Sequence, residues 1–154
     1  MRYWPHNNEQ GEAMNALRLA VLGAACLVAL PAYAEMVNLG ADLSARSQVP
    51  PNASSATGRA DIRLDTTSGN LSWTINYSGL TAPLSAAHFH GPAAVGANAG
   101  VIVPIANAGA SSPLTGMATL SPTQVADVLA GRWYVNIHTS NNPGGEIRGQ
   151  VVRR

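Results

Sequence analysis

The sequence predicts an all-β domain, an antiparallel sandwich or barrel of about eight short strands with one short helix. Three observations carry this expectation. Apolar and polar residues alternate in short windows, as on strands with one buried and one solvated face. Clusters of Gly, Pro, Asn, Ser and Thr interrupt those windows about every 8 to 12 residues, the spacing of a sandwich or barrel. Only one stretch has the start and stop signals of a helix.

In chain order, Val37, Leu39, Ala41 and Leu43 suggest a first strand, which Ser47-Gln48-Val49-Pro50-Pro51 ends because proline cannot donate to a ladder. In Thr57 to Asp65, Ala60, Ile62 and Leu64 alternate with charged residues, and Thr66-Thr67-Ser68-Gly69-Asn70 turns the chain. Leu71, Trp73, Ile75 and Tyr77 then alternate with Ser72, Thr74 and Asn76, completing a hairpin. Thr81-Ala82-Pro83 leads into a strand holding Ala87-His88-Phe89-His90. Residues 91–100 read as a loop, Val101 to Ile105 as a short strand, 107–113 as a second loop and Leu114 to Leu120 as a further strand. Ser121-Pro122-Thr123-Gln124 offers a capping serine, a proline at the first helical position and a glutamine three residues after the cap. A helix over about 122–130 follows, stopped by Gly131. The last two strands, Arg132 to Ser140 and Glu146 to Arg153, flank the loop Asn141-Asn142-Pro143-Gly144-Gly145. Trp73, Trp133, Met36 and Met117 are expected in the core, and no internal repeat is evident.

Residues 1–34 read as a leader. Leu19 to Leu30 is an apolar run preceded by Arg18 and followed by Pro31-Ala32-Tyr33-Ala34, whose small residues at 32 and 34 match a signal-peptidase site before Glu35. The run is shorter than the roughly 20 residues a membrane span needs, so no integral membrane segment is expected after cleavage. From Met1 the segment ahead of the run carries Arg2 and Arg18 against Glu9 and Glu12; from Met14 only Arg18 remains, which favours Met14 as the start. A lipoprotein reading through Cys26 is disfavoured by Gly23, which stands where leucine is wanted. The expected destination is the periplasm or the extracellular space.

Residues 35–154 are expected to form one domain. The single cysteine, Cys26, lies in the leader, so no disulfide can brace that domain and its stability must come from the core. After residue 34, arginines 46, 59, 63, 132, 148, 153 and 154, with no lysine, face acids 35, 42, 61, 65, 127 and 146. That near balance argues against binding nucleic acid or an anionic membrane. No glycine-rich phosphate cradle precedes a helix, no Ser/His/Asp arrangement offers a nucleophile, and the acids are too scattered for a glycosidase pair.

Chemistry concentrates in the histidines. Of the four in the chain, His6 lies in the leader; the others are His88, His90 and His138. Successive side chains on a strand point to opposite faces, so His88 and His90 share one face while Phe89 takes the other. The same parity separates Trp133, Val135 and Ile137 from Tyr134, Asn136 and His138. With the apolar residues inward, all three imidazoles stand on the outer face, the way a rigid sheet presents a three-histidine metal site. Imidazole suits copper, zinc, nickel or iron, and copper is usually held most tightly, so a copper ion is expected, with zinc the other candidate. If the last hairpin is symmetric about its loop, Glu146 lies near His138 and Arg148 near Asn136. Those three residues would be partners for the imidazoles' other nitrogens. The plainer reading has the histidines bracing residues 91–100, His138 stacked beside Tyr134, and Glu146 paired with Arg148 on a solvated face.

The residues from Leu43 to Pro51, Thr57-Gly58, Leu71 to Leu80, Ala87-His88-Phe89-His90-Gly91-Pro92-Ala93, Gly131 to Thr139 and Pro143 to Gln150 resemble, in order, the CHRD family, the domain repeated in chordin and found singly in exported bacterial proteins. The resemblance covers nearly all of residues 35–154, with Gln48 where the family commonly has glutamate. A weaker similarity links His88, His90, His138 and Arg148 to the copper site of copper-zinc superoxide dismutase. It implies an Ig-like or dismutase-like β-sandwich and, for Arg148, a catalytic role in guiding an anionic substrate. The bridging histidine, the zinc-binding cluster and the disulfide of that enzyme are missing.

Three functions follow as expectations. The first is an exported copper-binding protein in storage, delivery or sensing. The second is a copper-only, dismutase-like enzyme using Arg148. The third, implied by the likeness to chordin, is a metal-free extracellular module that binds a protein partner.

Overall fold

The structure, a computed structural model, describes residues 35–154. The expected leader, its cleavage site and the start at Met14 lie outside the described residues. Nine strands and one α-helix follow one another: β1 (Met36–Ser44), a 3-10 turn (Ala45–Ser47), β2 (Thr57–Asp65), β3 (Asn70–Ser78), β4 (Leu84–His90), β5 (Val101–Asn107), β6 (Leu114–Thr119), α1 (Pro122–Leu129), β7 (Tyr134–Thr139), β8 (Ile147–Gln150) and β9 (Val152–Arg153). Every pairing is antiparallel, in the order β5-β4-β7-β8-β1-β2-β3-β6, with β9 beside β1.

The sheet curls until β5 and β6, its two ends, approach each other, giving a nearly closed sandwich. Alternation explains what fills it. Ala60, Ile62 and Leu64 of β2 and Leu71, Trp73 and Ile75 of β3 point inward and are buried, while their polar neighbours face solvent. From the other half of the sheet come Phe89, Trp133, Val135 and Ile137. The halves meet where Trp73 stands edge-on to Phe89, ring centres 5.2 Å apart, a geometry aromatic pairs favour. Burying a side chain of this size stabilises by about 1.5–3 kcal/mol, so such contacts substitute for the missing disulfide.

The helix ends where its residues dictate. Ser121 Oγ accepts from the Gln124 amide and Gln124 Oε1 from the Ser121 amide, and Gly131 leaves the helix at φ +69°. Val128 anchors it to the core.

Three details depart from the sequence reading. Met36 and Met117, expected inside, are 57% and 82% exposed. Each sits at an outward position, and Gly116 takes the inward place beside Met117 because the Trp73 ring fills the space a side chain would need. The final strand breaks at Val151, whose amide turns to Trp133 O. At this seam Ser44 pairs with Arg148 and Gly40 with Val152, and a Cβ on Gly149 would lie 2.5 Å from Asp42 O. Finally, the outer face of β7 is not solvated: Tyr134 and Asn136 are as buried as their inward neighbours. Residues 45–52, 91–100 and 140–145 fold over it and satisfy its polar groups, making a second, polar layer.

Candidate metal centre

Strand register brings the histidines together. β4 and β7 are neighbours, with Ala86 opposite His138, His88 opposite Asn136 and His90 opposite Tyr134. Parity then places His88, His90 and His138 on one face, the two strands' diagonal neighbours within reach of one another. One nitrogen of each ring lies within 4.8 Å of the others, and no carboxylate or thiolate among the described residues joins the group. His88 Nδ1 and His138 Nε2 are 3.4 Å apart. Two nitrogens bound to one tetrahedral ion at about 2.0–2.1 Å stand at about that separation.

Backbone carbonyls decide which nitrogens are free. His90 Nδ1 donates to Ala99 O at 3.1 Å, and His138 Nδ1 donates to Pro143 O at 3.0 Å. A carbonyl can only accept, so in both rings Nδ1 carries the proton and Nε2 the lone pair. His90 Nε2 is buried without a partner, an orphaned acceptor aimed at the cluster. Burial holds the pKa of all three below the ordinary histidine value, foremost in each case. For His88 the neighbouring His138 adds to it. For His90 the Ala99 bond opposes it, while His88, His138 and Arg148 add to it; for His138 only the Pro143 bond opposes it. The neutral form so favoured is the form that binds metal.

A stack stands behind His90. The Tyr134 ring lies parallel to it, centres 4.9 Å apart and planes within 5°, and the Arg148 guanidinium carbon sits 3.5 Å from the centre of the Tyr134 ring. Arg148 donates to Asn98 Oδ1 at 2.9 Å and to Ala97 O at 2.7 Å. The Tyr134 hydroxyl donates to Ala99 O and accepts from the Ala99 amide, and Asn98 donates to Val49 O. Burial lowers the Arg148 pKa and Tyr134 opposes the shift, but a guanidinium keeps its charge.

Of the three expected partners of the imidazoles, none touches them. Asn136 lies opposite Arg148, as a symmetric hairpin requires, but its side chain accepts from Gln48 at 2.7 Å and donates to Gly144 O. Arg148 faces the histidines only through Tyr134. Glu146 leaves their face because its amide donates to Ile137 O rather than pairing with His138, an irregularity at the mouth of the hairpin, where Ile137 already stands opposite Ile147. Its carboxylate instead accepts from Ser54 Oγ, the Thr81 amide, Thr81 Oγ1 and Thr139 Oγ1 at 2.6–2.9 Å. Nor does Glu146 pair with Arg148, and the ring stacked on Tyr134 is His90 rather than His138. The groups that do orient the imidazoles, Ala99 O and Pro143 O, are main-chain atoms in loops. Only the loop compositions around them were visible in the sequence.

The profile of the CHRD domain matches residues 39–151, and the chain belongs to that family. No curated protein and no solved structure shows a significant match to it. Among the described residues no helix is long and apolar enough to cross a membrane.

Proposed function

We propose that this chain is an exported copper-binding CHRD protein that stores, delivers or senses the metal through His88, His90 and His138. The observation that carries the reading is the convergence of three neutral imidazoles, two of them with Nδ1 tied to a carbonyl so that Nε2 faces the cluster. Fixing the second nitrogen orients a ring and raises its basicity as a ligand. Three imidazoles with no thiolate suit copper, and zinc less tightly. The leader-like residues 19–34 support export, to a compartment where such a site meets exogenous metal.

The same geometry weighs against dismutation. An arginine that draws in an anion must offer free N–H groups to the open side of the metal, whereas Arg148 is 2% exposed and donates to Asn98 and Ala97. Bringing a substrate to it would mean breaking those bonds. A metal-free interaction module gives no role to the orphaned nitrogen of His90.

Copper titration of the mature protein, followed by electron paramagnetic resonance, tests the reading. One equivalent of Cu(II) with nitrogen couplings is expected, weakened at least tenfold by His138→Ala. Binding that is indifferent to removal of all three histidines would reject it.

A further inference from the structure

We infer that Arg148 sets the oxidation state this centre prefers, so that it holds monovalent copper more tightly than divalent copper. The inference rests on the three-histidine reading and adds to it a residue that touches neither the ion nor its ligands.

Three observations combine. The donor set is electrically neutral: three imidazoles with no carboxylate or thiolate beside them among the described residues. Among the described residues the one buried acid, Glu146, is turned to the other side of β7 and engaged by Ser54, Thr81 and Thr139, so it makes no contact with the centre. Among the described residues Arg148 is the buried cation. Its fellow arginines 59, 132 and 154 each pair with an aspartate, but Arg148 forms no ion pair among the described residues; its acceptors are an amide and a peptide oxygen. An unscreened positive charge is therefore held one ring behind His90, fixed by the stack on Tyr134.

Repulsion from that charge grows with the charge of the bound ion. Divalent copper or zinc meets twice the repulsion that monovalent copper does, in a site that supplies no anion to compensate. Three nitrogens also complete a coordination shell for a d10 monovalent ion. Arg148 is thus a positioning residue in an electrostatic sense: it biases the one-electron couple Cu2+ + e− → Cu+ toward the reduced form while binding nothing itself.

The test measures the affinity of the mature protein for Cu(I) and for Cu(II) in separate chelator competitions, and the midpoint potential of the loaded protein in a mediated spectroelectrochemical titration. Arg148→Met, which keeps bulk and removes charge, should lower the ratio of Cu(I) to Cu(II) affinity at least tenfold, or 59 mV for a one-electron couple. Arg148→Lys, which keeps the charge, should retain most of the ratio, and Zn(II) affinity should rise in the methionine variant but not in the lysine variant. Asn98→Asp places a carboxylate on the guanidinium without removing it and should shift the ratio in the same direction as Arg148→Met. It decides the matter if Arg148→Met fails to fold. A ratio unchanged in both Arg148→Met and Asn98→Asp overturns the inference, as does an equal fall in the lysine and methionine variants. Failure of the wild type to bind either ion is a separate result that rejects the metal centre itself.

Discussion

Glu146→Gln isolates the contribution of a buried charge that no cation balances. The side chain is fully buried and its two oxygens accept four hydrogen bonds, from Ser54, twice from Thr81, and from Thr139. Glutamine keeps the shape but not the charge, and its NH2 must face two hydroxyls that now donate to the carboxylate. A hydrogen bond to a charged group contributes about 1.5–3 kcal/mol and a neutral one about 0.5–1.5. Losing that difference over four bonds, with partial rescue by hydroxyl rotation, costs about 3 kcal/mol, a large part of the 5–15 kcal/mol typical of a domain. Urea unfolding followed by the fluorescence of Trp73 and Trp133 measures it. Acidity supplies the control. Burial raises the Glu146 pKa, but the bonds from Thr139, Ser54 and Thr81 outweigh it and leave the folded value below the ordinary one. Its stabilisation is therefore complete above the unfolded value of about 4.3 and is lost as pH falls through the folded value. The wild type should lose its advantage over Glu146→Gln in that acid window. A gap below 1 kcal/mol at pH 7, or one as wide at pH 2 as at pH 7, would refute the reasoning.

Gly149→Ala should destabilise by about 1–3 kcal/mol, since its Cβ meets the Asp42 carbonyl at the seam between β8 and β1; the midpoint of chemical denaturation reports it. Ser121→Ala removes the helix cap and should cost about 1 kcal/mol in the same assay while leaving copper affinity unchanged. Because burial holds all three histidines below their ordinary pKa, protons should begin to displace copper only below about pH 6.5, measured as loading at fixed free copper. The sign is fixed by the unfolded chain, which takes up these protons first, so apoprotein stability should also decline as pH drops through that value.

How much of this could be read in advance depended on whether a signal was local. The alternation in Ala60-Ile62-Leu64 and Leu71-Trp73-Ile75 depends on one strand and its two faces, and the structure keeps it residue by residue. The capping box of Ser121 and Gln124 is equally local. Histidine parity was legible for the same reason. Glu146 was misplaced because a one-residue irregularity beside Gly145, at φ +123°, reverses a side chain without changing the composition. Met36 and Met117 were misplaced because hydrophobicity was weighed ahead of parity. The burial of Tyr134, Asn136 and Arg148 was invisible for a further reason. It depends on Gln48, Asn98 and main-chain oxygens from three loops, and loop contacts carry no periodicity.

Arg148 also occupies a joint. Its backbone pairs with Ser44 where the two halves of the curled sheet are stitched together, while its side chain reaches through Tyr134 toward the histidines. Sheet closure and the proposed electrostatic bias thus share a single codon. If the proposed centre is borne out by experiment, a lineage that loosened this joint would also shift the guanidinium behind His90, so scaffold and site would drift together.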